Sequence, residues 1–179
     1  MAAYVQRPTA DEYVQFYAPY IARVPAGDIV RLLAEQLSGT LDLLAQLPPE
    51  RSHHAYAPGK WTIGQVVGHL SDAERIMAAR ALRFARGDTQ PLPGFDENAY
   101  VPAGRFEERA LDSLAGELRA VRAASVAFFD GLPPEAWTRR GSANAHGVSV
   151  RALACVIAGH ELHHRAILSE RYLAGPASA

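Results

Sequence analysis

The chain predicts an all-α protein, a four-helix bundle with one short extra helix in front. Three observations carry that expectation. Four segments repeat apolar residues at the three-and-four spacing of a helix with one buried face, proline- and glycine-rich stretches separate them, and no run of alternating residues asks for a sheet. A length of 179 residues, 49% apolar and 21% charged, suits one domain over residues 1–179 with its core at about 28–173.

Thr9 and Glu12 stand in capping-box spacing ahead of Tyr13-Val-Gln-Phe-Tyr17, which predicts a short helix ended by Pro19 or Pro25. Asp28 caps the first long helix. Its inner face is Ile29, Leu33, Leu37, Leu41, Leu44 and Leu47, and Pro48-Pro49 stops it. Residues 48–60 read as an exposed connection that carries His53 and His54. Thr62 opens the second long helix, with Val66, Leu70, Ala73 and Met77 facing in, His69 at the edge of that face, and Gly87-Asp88 as the stop. Phe95 and Tyr100 lie in the proline-rich loop from Gly87 to Gly104, which is expected to fold down over one end of the bundle. The third helix is predicted from about Phe106 to Gly131 on Leu111, Leu114, Leu118, Val121 and Phe128/Phe129. Trp137 and a polar connection without pattern follow. Ser149 then caps the last helix, which ends near Leu173-Ala-Gly175-Pro176.

Composition excludes several functions. With a net charge of -1 and no basic run, nothing recommends nucleic acid. The apolar segments are too short for a membrane span, and the N-terminus lacks a basic start followed by an apolar run, so a cytoplasmic protein is expected. Cys155 is the only cysteine, which agrees with a reducing compartment. It falls about 140° around its helix from His160, a position for packing and not for ligation.

The last helix carries the chemistry. Its stripe of Val150, Leu153, Ile157 and Ile167/Leu168 also takes in His160 and His164, with His163 near the edge. Two histidines four apart on a helix project side by side and can hold one divalent ion; alternatively they are core histidines bonded to polar neighbours. His160-Glu161-Leu-His-His164 also satisfies the zinc-protease pattern H-E-x-x-H, in which the glutamate is the general base. Only fifteen residues follow His164, Ile167 stands where a metzincin glycine would, and there are no strands to align a peptide, so proteolysis is set aside. A third ligand has to come from upstream, and His69 is the only histidine in another long helix. Three neutral imidazoles leave the ion its full charge and at least one open position, which points to chemistry more than to a closed structural site.

Other polar residues receive plainer readings. Asp72 and Glu74 could orient a ligand imidazole but are expected as solvated helix residues. Glu161 falls on the far flank of the stripe, where a salt bridge or dimer contact is expected. Asn98 and Tyr100 would touch substrate if the long loop covers the site, Trp61 packs at a helix start, and His146 and His163 are spare, His163 being the reserve ligand.

Two segments, Trp61-Thr-Ile-Gly-Gln-Val-Val-Gly-His69-Leu and Gly159-His160-Glu-Leu-His-His164-Arg, together with the loop around Phe95-Asp-Glu-Asn-Ala-Tyr100, resemble the DinB/YfiT-like superfamily of metal-binding four-helix bundles. The resemblance implies His69, His160 and His164 as metal ligands. It implies a divalent ion such as zinc, nickel or iron, and often a homodimer. It further implies transferase or isomerase chemistry with a low-molecular-weight thiol (bacillithiol, mycothiol or glutathione), activated as thiolate. A metal-dependent hydrolase and a non-catalytic, metal-binding stress-response bundle are the other expectations.

Overall fold

The computed structural model describes residues 6–173. Six α-helices and one hairpin follow in order: α1 (Ala18–Arg23), α2 (Ile29–Ala45), α3 (Ile63–Ala85), α4 (Glu97–Gly104), α5 (Leu111–Asp130), β1 (Arg140–Ala143), β2 (His146–Ser149) and α6 (Val150–Ile167). Helices α2, α3, α5 and α6 form the bundle: α3 packs on α5 and α6, and α2 closes the other side against the same two.

Three of the four bundle helices start where capping side chains place them. Asp28 accepts hydrogen bonds from the backbone N–H groups of Val30 and Arg31, Thr62 accepts from Gln65 while the Gln65 side chain returns to Thr62, and Ser149 accepts from Ala152. Of the two prolines offered as the end of the short helix, Pro19 lies in the first turn of α1, where a missing N–H costs nothing, and the helix stops just before Pro25. Two boundaries differ from expectation. The third long helix begins at Leu111, because Arg105 turns left-handed at φ 49° and Arg109 is extended, which sets Phe106–Glu108 apart as a separate turn. The last α-helix passes at Leu168 into a π-helical turn through Leu173; the Gly175-Pro176 stop signal lies outside the described residues.

A sheet was not expected, yet β1 and β2 pair antiparallel, Arg140 opposite Ser149 and Ala143 opposite His146. Asn144 and Ala145 make the tight turn at φ 51° and 61°. Leu92 docks on its edge, donating to the Ser142 carbonyl and accepting from Asn144 N–H, so the hairpin ties down the loop after α3.

Two apolar clusters fill the interior. One gathers Leu33, Met77, Phe84, Phe129, Trp137 and Ile157 toward the hairpin end; the other gathers Leu37, Ile63, Val67, Leu70, Leu114, Leu118 and Leu168 toward the opposite end. Along α2, α3, α5 and α6 alike, the changeover between clusters is marked by buried polar residues: Gln36, Glu74, Arg122 and Glu161. Helix α1 crosses α6 at Gly159, where a Cβ would stand 2.0 Å from the Tyr20 carbonyl oxygen, so only glycine admits this approach. That crossing brings Tyr20 to the histidines.

Candidate metal centre

His69 projects from the second turn of α3, and His160 and His164 from successive turns of α6, the helix packed against it. The Nε2 of His160 lies 3.1 Å from that of His69 and 3.1 Å from that of His164, and ligand atoms of all three fall within 4.8 Å of one another. One shared proton can join a pair of neutral imidazoles, but the single Nε2 of His160 faces two partners at once. Three nitrogens at this spacing fit a common cation at about 2.0–2.1 Å from each. His163 instead lies edge-on to Tyr20, and His146 is exposed at the hairpin turn.

The surroundings keep the three rings uncharged. Burial pushes His69 down to about 4 and His164 to about 3, and burial reinforced by the neighbouring imidazoles holds His160 well below its ordinary value. At neutral pH each therefore offers a lone pair. Trp61 stacks obliquely on His69 at 4.9 Å between ring centres, and Tyr20 meets His160 edge-on at 5.4 Å. His164 Nδ1 is buried without a partner among the described residues, so that ring is held through Nε2 alone.

Beneath the histidines lies an ionic layer that the sequence reading missed. Arg122 donates to both oxygens of Glu74 at 2.9 Å, to Glu161 at 2.8 Å and to the Leu33 carbonyl at 3.0 Å. Glu161 also accepts from Gln36 at 2.5 Å and Thr40 at 2.6 Å. Glu161 was expected on an outer flank and Glu74 in solvent; both are buried, because α5 supplies a guanidinium to match them. The salt bridge expected of Glu161 is present, but it points inward. Asp72 stays half-buried beside Arg75, with burial raising its carboxyl above the ordinary range.

A cavity of about 400 Å³ opens from the histidines, walled by Tyr17, Tyr20, Trp61, Met77 and Phe95, with Arg80 and Glu97 as charged members besides the paired Glu74, Arg122 and Glu161. Asn98 and Tyr100, expected at a substrate, stand exposed on α4 and do not line it; Phe95 and Glu97 from the same loop do. Trp61 is a wall of the site as well as a packing residue. One signal could have found Arg80: it follows His69 by eleven residues, which is three helical turns to within about 20°. Cys155 is buried away from the cavity wall, and burial pushes its thiol up to about 12.

Comparisons with known proteins agree with this architecture. The solved structure of YfiT from Bacillus subtilis, described as a probable metal-dependent hydrolase with an unusual four-helix bundle topology, is similar at a TM-score of 0.71 and 18% identity, over 81% of this chain and 84% of its own. A mycothiol-dependent maleylpyruvate isomerase is similar at a TM-score of 0.63 and 15% identity, over 80% of this chain; the chain spans 61% of that larger protein. At such identities the likeness is one of fold. No curated protein matches the chain significantly. The sequence profile of the DinB superfamily matches residues 32–168, a span that takes in the whole of α3 and α6 with all three clustered histidines, and the chain belongs to that superfamily.

Proposed function

We propose that this protein is a metal-dependent enzyme of thiol-dependent group transfer, of the S-transferase or isomerase type, with His69, His160 and His164 as ligands of a zinc, nickel or ferrous ion. The observation that carries the reading is the convergence of three neutral Nε2 atoms, 3.1 Å apart about His160, on the wall of a cavity large enough for a thiol and an electrophile together. A divalent ion, when bound, supplies a positive centre that favours the deprotonated form of a thiol or water and withdraws electron density from a carbonyl. Uncharged ligands leave that charge undiminished, which suits a thiolate.

The chain brings no thiol of its own to the site, since its only cysteine is buried elsewhere. Tyr17, Tyr20, Trp61 and Phe95 exclude water and orient the reactants. Glu97 is the only wall carboxylate outside an ion pair among the described residues, and it takes the proton that a thiol gives up. Glu161 cannot do so: three donors hold its carboxylate. A second reading, metal-dependent hydrolysis, draws support from the likeness to YfiT.

The test is elemental analysis of gently purified protein, followed by a panel of low-molecular-weight thiols with a test electrophile. Metal-dependent turnover that requires thiol supports transfer. Turnover without thiol establishes hydrolysis, and loss of thermal stability on metal removal with no thiol binding leaves a structural ion.

A further inference from the structure

Arg80 stands in the cavity wall with its charge unanswered. It is 5% exposed, buried more deeply than His69, yet it makes no ion pair among the described residues. One Nη donates to the Pro93 carbonyl at 2.8 Å, the other reaches only the sulfur of Met77 at 3.7 Å, and the guanidinium sits 5.9 Å from the centre of the Phe95 ring. Arg122, the other buried guanidinium on this cavity, is by contrast held by two carboxylates. A buried cation normally has a partner, because the loss of hydration costs several kcal/mol unless an anion or several acceptors offset it. The Tyr17 hydroxyl is the other oxygen beside it, and a neutral phenol and one carbonyl shared among five N–H groups do not offset a cation. The wall carboxylate Glu97 lies beyond ion-pair distance.

The placement is also directional. Arg80 and His69 share one face of α3, with Cα atoms roughly 16 Å apart along the axis at 1.5 Å per residue. Long helical side chains lean toward the N-terminus, and the contact of Arg80 with Met77, three residues earlier, shows this one doing so. His69 leans the same way but is shorter, so a gap of roughly two to three helical turns remains between guanidinium and imidazole, lined by aromatic rings. We propose that Arg80 is the carboxylate-recognition group of this cavity, and that its ligands carry a carboxylate roughly two to three helical turns from the end that meets the histidines. A planar guanidinium fork takes a carboxylate through two parallel hydrogen bonds, whereas a dianionic phosphate would be left with one charge unmatched. The spacing rests on the metal-centre reading; the carboxylate preference does not.

Binding of 4-phenylbutyrate and of its neutral counterpart 4-phenylbutanamide, measured by calorimetry on zinc-loaded and on chelator-treated protein, tests the assignment. The acid binds roughly tenfold or more tightly than the amide in both forms, the discrimination a charge-assisted hydrogen-bond pair provides. Arg80→Gln abolishes the preference and Arg80→Lys keeps part of it, while His69→Ala leaves it intact. Equal binding of acid and amide by the unaltered protein overturns the proposal without any variant. A preference that survives Arg80→Gln, or one found only with zinc present, also overturns it, since the carboxylate then seeks another group or the ion. Failure of the metal reading would show separately, as absence of bound zinc.

Discussion

The Glu161 carboxylate meets the Arg122 guanidinium at 2.8 Å, with both side chains all but fully buried at the centre of the bundle. The acid of the H-E-x-x-H pattern is thus committed to an interior ion pair, its oxygens taken up by Arg122, Gln36 and Thr40. The same five letters serve a different purpose here from the one they serve in a protease.

Arg122→Met leaves Glu74 and Glu161 as uncompensated buried charges. We expect a loss of about 3–5 kcal/mol, seen as a fall of roughly 10 °C in Tm at 2–4 °C per kcal/mol for a chain of this size. Replacing all three residues with apolar ones recovers most of it. A single variant that melts within about 2 °C of the parent would show that the layer contributes little.

His69→Ala, His160→Ala and His164→Ala should each weaken metal binding by more than the roughly 10–100-fold that loss of an orienting partner costs. His160→Ala should be the most severe, since its Nε2 touches both others. His163→Ala and His146→Ala should keep full stoichiometry. Elemental analysis after gel filtration decides, and full metal content in all three ligand variants would remove the assignment.

Metal-free protein should lose stability in two acid windows. His69 and His164 titrate at about 4 and about 3 when folded, against roughly 6.5 unfolded. Between those values the unfolded chain binds more protons, so stability falls as pH drops below about 6.5, by up to about 1.4 kcal/mol per pH unit for each ring. Glu12, held down at about 2 by Arg151 and Ser149 against the desolvation that burial imposes, contributes stability that is complete above about 4.5 and is lost as pH falls toward 2. Urea midpoints across pH 3–7 read both windows; a flat profile from 6.5 to 4 would mean that the rings are already charged in the fold.

Gly159→Ala should do disproportionate damage for one methyl group. Its Cβ meets the Tyr20 backbone, which has no flexible end to give way. We expect about 1–3 kcal/mol of destabilisation, and a weaker metal site because Tyr20 walls His160. Gly116→Ala, with nothing within 4 Å, serves as the control and should be neutral or stabilising. Equal melting of the two variants would deny the close crossing.

The helices were legible because caps and apolar spacing are local signals: Asp28, Thr62 and Ser149 each announce a start that the backbone then makes. The histidine cluster was legible for the same reason, two members lying one turn apart and the third alone in its helix. What could not be read depends on partners distant in sequence. Glu74 and Glu161 are ordinary surface residues until Arg122, 48 and 39 positions away, is folded between them. The hairpin escaped because its strands are four residues long and its turn uses Asn144-Ala145 where a glycine would have signalled it. Asn98 and Tyr100 were chosen from a segment read as loop; Asp96 instead caps α4, which carries them on its exposed side.

The charged stratum between the two apolar clusters has a further effect. Its members come from four different helices at one height, so sliding a helix by a turn, about 5.4 Å, would strand an acid, a guanidinium or, from α2, the Gln36 amide among leucines. Greasy clusters above and below tolerate such slippage far better. The layer thereby acts as an indexing pin: it fixes the vertical alignment of α3 against α6, and with it the coincidence in space of three imidazole nitrogens that no hydrocarbon contact could specify so narrowly.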